Sequence, residues 1–385
     1  MKNPLQTDPQ TAGLYIHIPF CLKKCPYCDF YSSTDLSLMD KFTWALGREM
    51  AMRQKKSFDT VYLGGGTPSI LGRRHLDAIF QSISENFRIH ENHEITIETN
   101  PGSLEPDAPA FFKSLGINRI SIGAQSFSDD ILKFLGRIHT ADDAAHSIEQ
   151  ARQAGFDNIG LDLIYGIPGQ TVKSWIATLK QAVAHGPSHL SCYMLTFEKK
   201  TPMEIRRKQG AFEELPEERL AEMFKTGALF LESQGFFQYE TSNFARTGRQ
   251  SRHNLKYWSF APYTGLGPSA HSHELGVRSW NKKSVRSYHD DLKNQRLPLA
   301  ETEILSKSER MIEALYLGLR QSRGIDVAEF ENMFHHDFFH LFENSVSMLT
   351  KKNLARKDPH RFALTLDGAL LLDSLAGLLI HEADL

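Results

Sequence analysis

The stretch YIHIPFCLKKCPYC, residues 15–28, decides the fold. It opens as a short apolar run, breaks at Pro19, and then delivers Cys21, Cys25 and Cys28 within eight residues. A loop this tight can wrap one corner of a compact inorganic body. A structural zinc site wants four protein ligands, and the remaining cysteine, Cys192, is more than 160 residues away, so a histidine would have to complete it. Cubane iron–sulfur clusters are held by cysteine thiolates, and three on a four-iron cube leave one iron open to an outside ligand.

Outward from this loop the chain repeats one unit: a short β-branched run, Gly or Pro punctuation, then an amphipathic helix. Parallel β/α sheets and barrels read this way. The runs are residues 14–18, 60–63, 94–98, 119–123, 158–165 and 189–195. One helical stripe is carried by Leu76, Ile79, Phe80 and Ile83. Six units fall short of the eight that close a barrel, so the expected class is α/β, a partial (β/α)6 TIM-like barrel. The barrel core is placed at 1–236 and a connecting element at 237–305. From about residue 306, helix, helix, helix and strand predict a small, mainly helical, winged-helix-like C-terminal domain over 306–385.

The polar residues of the repeats are not scattered. Gly64, Gly65, Gly66, Thr67, Glu98, Gln125 and Asp162 fall at or just past the C-terminal parts of their strands, the rim where β/α barrels build sites. Each alone reads as a turn or a helix cap; together they make a ring.

The charge balance narrows the partners. Forty-four Lys and Arg against 46 Asp and Glu give a net charge of −2 over 385 residues, so no global field draws the chain to nucleic acid or anionic lipid. Residues 306–361 carry nine basic and eight acidic side chains, which excludes a phosphate-binding face on the winged-helix-like domain. The polar opening MKNPLQTDPQTAG has no apolar centre for a signal sequence, and four cysteines make no disulfide framework. A cytoplasmic protein is expected.

The motifs, in order, are YIHIPFC at 15–21, GGGTP at 64–68, IETNP at 97–101, IGAQSF at 122–127, Arg137, and DLIYGIPGQT at 162–171. This series resembles the oxygen-independent coproporphyrinogen III oxidase family of radical S-adenosylmethionine (SAM) proteins. The resemblance implies a [4Fe-4S] cluster on Cys21, Cys25 and Cys28, with SAM on the open iron. It implies Tyr15 beside the cluster, and Gly65, Gly66 and Thr67 at the methionine end. Tyr27, Glu98, Gln125, Arg137 and Asp162 would line the SAM site. Gly-rich backbone admits a close ligand and offers N–H donors, while carboxylates accept from an ammonium or ribose hydroxyls.

The oxidases carry a fourth cysteine two residues past the third; here that position is Phe30. The substitution, with HNLKYW at 253–258, is similar to the haem-chaperone branch. That branch implies haem as a further ligand, His253 as its binding residue, and an acceptor protein, extrapolated to a membrane respiratory enzyme. Homodimerisation stays open. Porphyrin chemistry agrees with the composition, since haem iron takes a His and a flat ring packs on the aromatics Tyr257, Trp258 and Phe260. The local alternative is a capped turn whose aromatics fill the barrel's open side. The functional alternative is the oxidase itself, a radical decarboxylation in porphyrin biosynthesis, against which Phe30 stands. Elsewhere, His336 and His340 are expected on one helical face, and Cys192 as a small buried hydrophobe.

Overall fold

The six β-branched runs become six strands in a computed structural model that describes residues 11–385. The polar opening is outside the described residues except for 11–13. The strands are β1 (Ala12–Ile18), β2 (Ser57–Gly65), β3 (Arg88–Thr99), β4 (Arg119–Gln125), β5 (Ile159–Tyr165) and β6 (His189–Met194). They pair in parallel and in chain order. Helices cross between them, among them Met39–Met52, Arg73–Asn86 and Val172–Ala184. Thr140 and Thr171 start two of these helices with reciprocal caps to Asp143 and Ser174.

Alternation along the strands sets two faces. Leu14, Ile16, Val61, Leu63, Ile97, Ile120, Ile122 and Leu161 bury into the helix-covered core, all at 0% exposure. The intervening residues Tyr15, Tyr62, Glu98, Ser121, Asp162 and Ser191 share the opposite face, directly paired as Tyr15–Tyr62, Glu98–Ser121 and Asp162–Ser191 and offset by two residues between those pairs. A polar chamber therefore lies opposite an apolar core, and its wall belongs to the barrel interior.

The six units do not close. An open barrel leaves two edges of unpaired N–H and C=O groups, and residues 237–304 occupy both. Beyond β6 lie β8 (Asn243–Ala245) and then β7 (Phe237–Glu240). Beside β1, β9 (Tyr263–Leu266) pairs in parallel, followed by antiparallel β10 (His271–Glu274), β11 (Val277–Asn281) and β12 (Leu299–Ile304). The expected connecting element is thus six more strands of one 12-stranded sheet.

The helix Arg252–Trp258 sits under the N-terminal ends of the strands. The His253 amide donates to Glu94 of β3 at 3.1 Å, and fully buried Lys256 reaches Asp59 at 2.8 Å and the Thr11 carbonyl at 2.6 Å. This helix forms the chamber floor.

Residues 307–385 hold a separate apolar core of Met311, Leu315, Leu319, Phe330, Phe334, Phe338, Phe362 and Leu375. Its helices surround a three-stranded sheet of β13 (Ile325–Asp326), β14 (Ala355–Lys357) and β15 (Arg361–Leu364), ordered β13–β15–β14, as in a winged helix. His336 lies in a bend between two helices, so it does not share a helical face with His340 as expected: Asp337 caps a new helix at Phe338. Cys192 is buried, as a small apolar residue would be.

Candidate functional site

The cysteine loop leaves β1 through Pro19 and fully buried Phe20. It is pinned by Cys21 N to the Ser33 carbonyl at 3.0 Å, Ser33 N to the Pro19 carbonyl at 2.7 Å, and Cys28 N to the Cys25 carbonyl at 3.1 Å. All three thiols are free and half-buried. Two of them receive hydrogen bonds: Thr67 Oγ1 donates to Cys21 Sγ at 3.6 Å, and Arg137 Nη1 to Cys25 Sγ at 3.3 Å. Donors aimed at sulfur can also serve a metal-bound thiolate, whose orientation they would hold. Burial pushes the Cys28 thiol up. Among the described residues no three His, Cys, Asp or Glu side chains converge on a single ion.

The glycine turn after β2 packs directly on this loop. Gly65 has φ +109°, and a Cβ there would stand 2.6 Å from the His17 ring; one on Gly66 would meet the Phe20 carbonyl at 2.5 Å. The amides expected to greet a ligand are already engaged: Gly66 N donates to the Ile18 carbonyl at 2.8 Å, Thr67 N to that of Phe20 at 2.7 Å, and Gly65 N to Glu98 at 3.1 Å. The turn's contribution is close approach, since Ile18, Phe20 and Glu98 have taken its donors.

Arg137 joins the rim. Besides Cys25 it donates to the Gly123 carbonyl at 3.0 Å and to Asn100 Oδ1, and Asn100 Nδ2 donates to Thr67 at 2.7 Å. Asn100 lies inside the IETNP motif yet carries no role in the sequence reading; its only signal is an amide two places past Glu98. Tyr27 lies against the Arg137 guanidinium, and burial raises its hydroxyl pKa. Gln125 ends β4 at φ +62°, a left-handed conformation unusual for a side-chain-bearing residue.

Deeper in the chamber Tyr62 donates to Glu98 Oε1 at 2.7 Å. Burial, reinforced by the Asp162 charge, pushes the Glu98 carboxyl up to about 7. Asp162, bonded by Ser121 at 3.4 Å, is likewise raised by burial. Tyr15 contacts His17 Nδ1 at 3.1 Å. Sequence reasoning also missed Arg119, 1% exposed at the start of β4, whose charge acts on Glu98, Asp162 and His253 together.

His253 stands in the helix 252–258 and faces the first residues of β2. It is 0% exposed. Its Nδ1 lies 2.8 Å from Thr60 Oγ1 and its Nε2 2.9 Å from the Tyr257 hydroxyl, and the ring stacks on Tyr62 at 5.2 Å. Burial and the Lys256 charge hold its pKa near 3. The motif's own tyrosine, one helical turn along, is thus the partner of Nε2. Trp258 packs under the Arg320 guanidinium at 4.6 Å and accepts from Gln321 at 2.9 Å, fastening the C-terminal domain. In this structure the HNLKYW segment braces the chamber floor.

Residues 15–182 match the Radical SAM superfamily, and residues 305–371 the HemN C-terminal domain. Heme chaperone HemW of Bacillus subtilis is 34% identical over 374 residues, covering 96% of this chain and 99% of that protein. The chain belongs to the HemW family. Heme chaperone HemW of Haemophilus influenzae is 32% identical over 385 residues, with 96% and 98% covered. The coproporphyrinogen III oxidase HemN of Escherichia coli, described as a radical SAM enzyme, has the same fold, with a TM-score of 0.83 and 23% identity over 98% of this chain and 92% of that one. Superfamily membership implies a [4Fe-4S] cluster and SAM. The residues fit that group: three free thiols at the end of β1, hydrogen-bond donors on two sulfurs, and a turn that tolerates no Cβ.

Proposed function

We propose that this protein is a haem chaperone of the cytoplasm, holding haem and a SAM-ligated [4Fe-4S] cluster and delivering the haem to an acceptor protein. Cys21, Cys25 and Cys28 ligate the cluster, which when loaded offers one open iron to SAM. Thr67 and Arg137 hold the sulfurs by hydrogen bonds, and Asn100 ties those two side chains together. Gly65 and Gly66 admit the methionine end, while Tyr15, Tyr27, Glu98, Gln125 and Asp162 line the pocket. Glu98, poised near neutrality, accepts a hydrogen bond from a cationic ammonium once ionised.

The observation that carries this reading over an oxidase is Phe30. Its side chain stands where the oxidases place a fourth cysteine, and it is 68% exposed. Acceptance of haem by an apo-respiratory enzyme is the expected end of the transfer. No helix among the described residues is long and apolar enough to cross a membrane.

The test is anaerobic reconstitution with iron and sulfide. Separate samples then receive haem or coproporphyrinogen III, each with SAM and a low-potential reductant. Stoichiometric haem retention, with transfer to an apo-haem protein and an untouched porphyrinogen, is the expected result. Loss of CO₂ from the porphyrinogen above a Cys25→Ala control would reinstate the oxidase.

A further inference from the structure

Arg119 is a permanent cation buried on the chamber face of β4. The register pairs it with Thr96 of β3, one step below the Glu98–Ser121 pair. Its guanidinium reaches across to β5: a Cβ built on Gly160 would stand 3.0 Å from Arg119 Nη2, 3.2 Å from Ser121 Oγ and 3.4 Å from His189 Nδ1. Ser121 pairs with Gly160, and Gly160 with His189, so the charge lies inside the barrel among β4, β5 and β6. Ser121 follows Arg119 by two residues and Asp162 follows Gly160 by two. One same-face step of a strand is about 7 Å, which sets the charge that far beneath the level of the Glu98 and Asp162 carboxyls.

A buried guanidinium ordinarily takes a carboxylate of its own, because an ion removed from water without a partner is costly. Among the described residues nothing accepts from Arg119 Nε or Nη1. The carboxylates of the floor are committed elsewhere: Asp59 to Lys256 at 2.8 Å and Arg252 at 3.5 Å, and Glu94 to the His253 amide at 3.1 Å. An ion pair would spend the charge on one acid; without one, its field falls on the whole chamber. The groups that face Glu98 from the elements around it are Tyr15 on β1, Tyr62 on β2, Asp162 on β5, Tyr193 on β6 and Tyr257 on the floor helix. Burial pushes all four tyrosine hydroxyls up, so they stay neutral, and Asp162 is an acid whose charge opposes ionisation of Glu98. Arg119 is the cation in this set, and its charge favours the Glu98 carboxylate.

We propose that Arg119 is a positioning residue of the SAM site: its unpaired charge beneath the chamber lets Glu98 release its proton to solvent and meet the SAM ammonium as a carboxylate. This rests on the SAM reading of the chamber given above. The role requires charge and no particular hydrogen bond, so lysine can supply it and glutamine cannot.

The experiment is an infrared titration of the anaerobically reconstituted, full-length chain, following the protonated-carboxyl band that Glu98→Gln abolishes. The wild-type midpoint is expected at about pH 7. In Arg119→Gln it should rise by about one unit or more, as a unit charge about 7 Å away in a protein interior implies, and in Arg119→Lys it should stay within about 0.3 unit. SAM affinity should follow the same groups, falling at least about fivefold at pH 7 in Arg119→Gln and converging on wild type by about pH 9. If Arg119→Gln does not fold, Arg119→Lys decides: a wild-type midpoint in a chain of lowered melting temperature supports the role of charge. An Arg119→Gln midpoint within about 0.3 unit of wild type overturns the assignment. So does a folded Arg119→Lys whose midpoint climbs by a full unit, which would make the role one of hydrogen bonding. A wild-type chain that takes up no SAM at any pH overturns the SAM reading and this role with it, and the infrared midpoints tell that failure apart from an inert Arg119.

Discussion

Glu98→Gln should remove a pH dependence rather than a fixed amount of stability. Burial foremost, then the Asp162 charge, lifts the Glu98 carboxyl from 4.5 to about 7, against the hydrogen bonds from Tyr62 and Gly65. A raised carboxyl pKa means the folded state holds its proton more tightly. The stabilisation is therefore complete below pH 4.5 and is lost as pH rises to about 7. At 1.36 kcal/mol per pH unit that interval is worth up to about 3 kcal/mol, and partial contact with solvent trims it to about 2. Glutamine keeps an acceptor for Tyr62 but turns an amide toward Gly65 N, a cost of about 1–3 kcal/mol at every pH. Urea unfolding of cluster-free protein under argon at pH 5, 6, 7 and 8 separates the two effects. The wild-type advantage should be largest at pH 5 and shrink by about 2 kcal/mol by pH 8. Parallel curves would refute the reasoning. SAM affinity of the reconstituted protein should rise from pH 6 to 8 in wild type, because only ionised Glu98 attracts an ammonium, and should stay flat in the variant.

Gly65→Ala forces a Cβ to 2.6 Å from the His17 ring at φ +109°; a loss of about 2–4 kcal/mol in chemical unfolding is expected, with iron content after reconstitution falling alongside. Glu49, 0% exposed, accepts from Tyr288 at 2.6 Å, Gly267 N at 2.9 Å, Asn281 at 2.9 Å and Arg53 at 2.7 Å. Glu49→Ala should cost about 3–5 kcal/mol and speed amide exchange first in β9–β12, a pattern that uniform acceleration across the sheet would contradict. Arg137→Lys keeps the charge but cannot span Cys25, Asn100 and Gly123 at once. It should melt within about 1 kcal/mol of wild type yet release cluster iron to a chelator several-fold faster, and equal release would remove Arg137 from the sulfur-holding role.

The barrel was legible because its signals are local. An apolar run bounded by glycine or proline reports a strand without knowledge of its partner, and all six such runs lie in parallel neighbours. The strands that flank them were not legible. All six residues of β12 are exposed, and β7 is four residues long, so neither carries an apolar alternation to detect. They are strands because an unclosed barrel offers edges to pair with, a tertiary cause absent from their own composition. Glu49 was invisible for the same reason, since its partners Gly267, Asn281 and Tyr288 lie more than 200 residues along the chain.

The site divides along the same line. Cysteine spacing is a local constraint, and Cys21, Cys25 and Cys28 needed only their loop to be recognised. Iron ligation by histidine is different, because the nitrogen lone pair it uses must first give up any hydrogen bond it accepts. The HNLKYW segment has the composition of a haem contact, yet Thr60 from β2 and Tyr257 from the next helical turn consume both nitrogens of His253. A haem iron that took Nε2 of His253 would displace the Tyr257 hydroxyl and leave the Thr60 contact in place, and one buried hydrogen bond left unmade costs about 1–3 kcal/mol. At 1.4 kcal/mol per decade that cost is a factor of about 5 to 150 in affinity. A reading by motif alone cannot include this cost, because Thr60 meets His253 only across 193 residues of chain, once the sheet and the helix 252–258 are assembled.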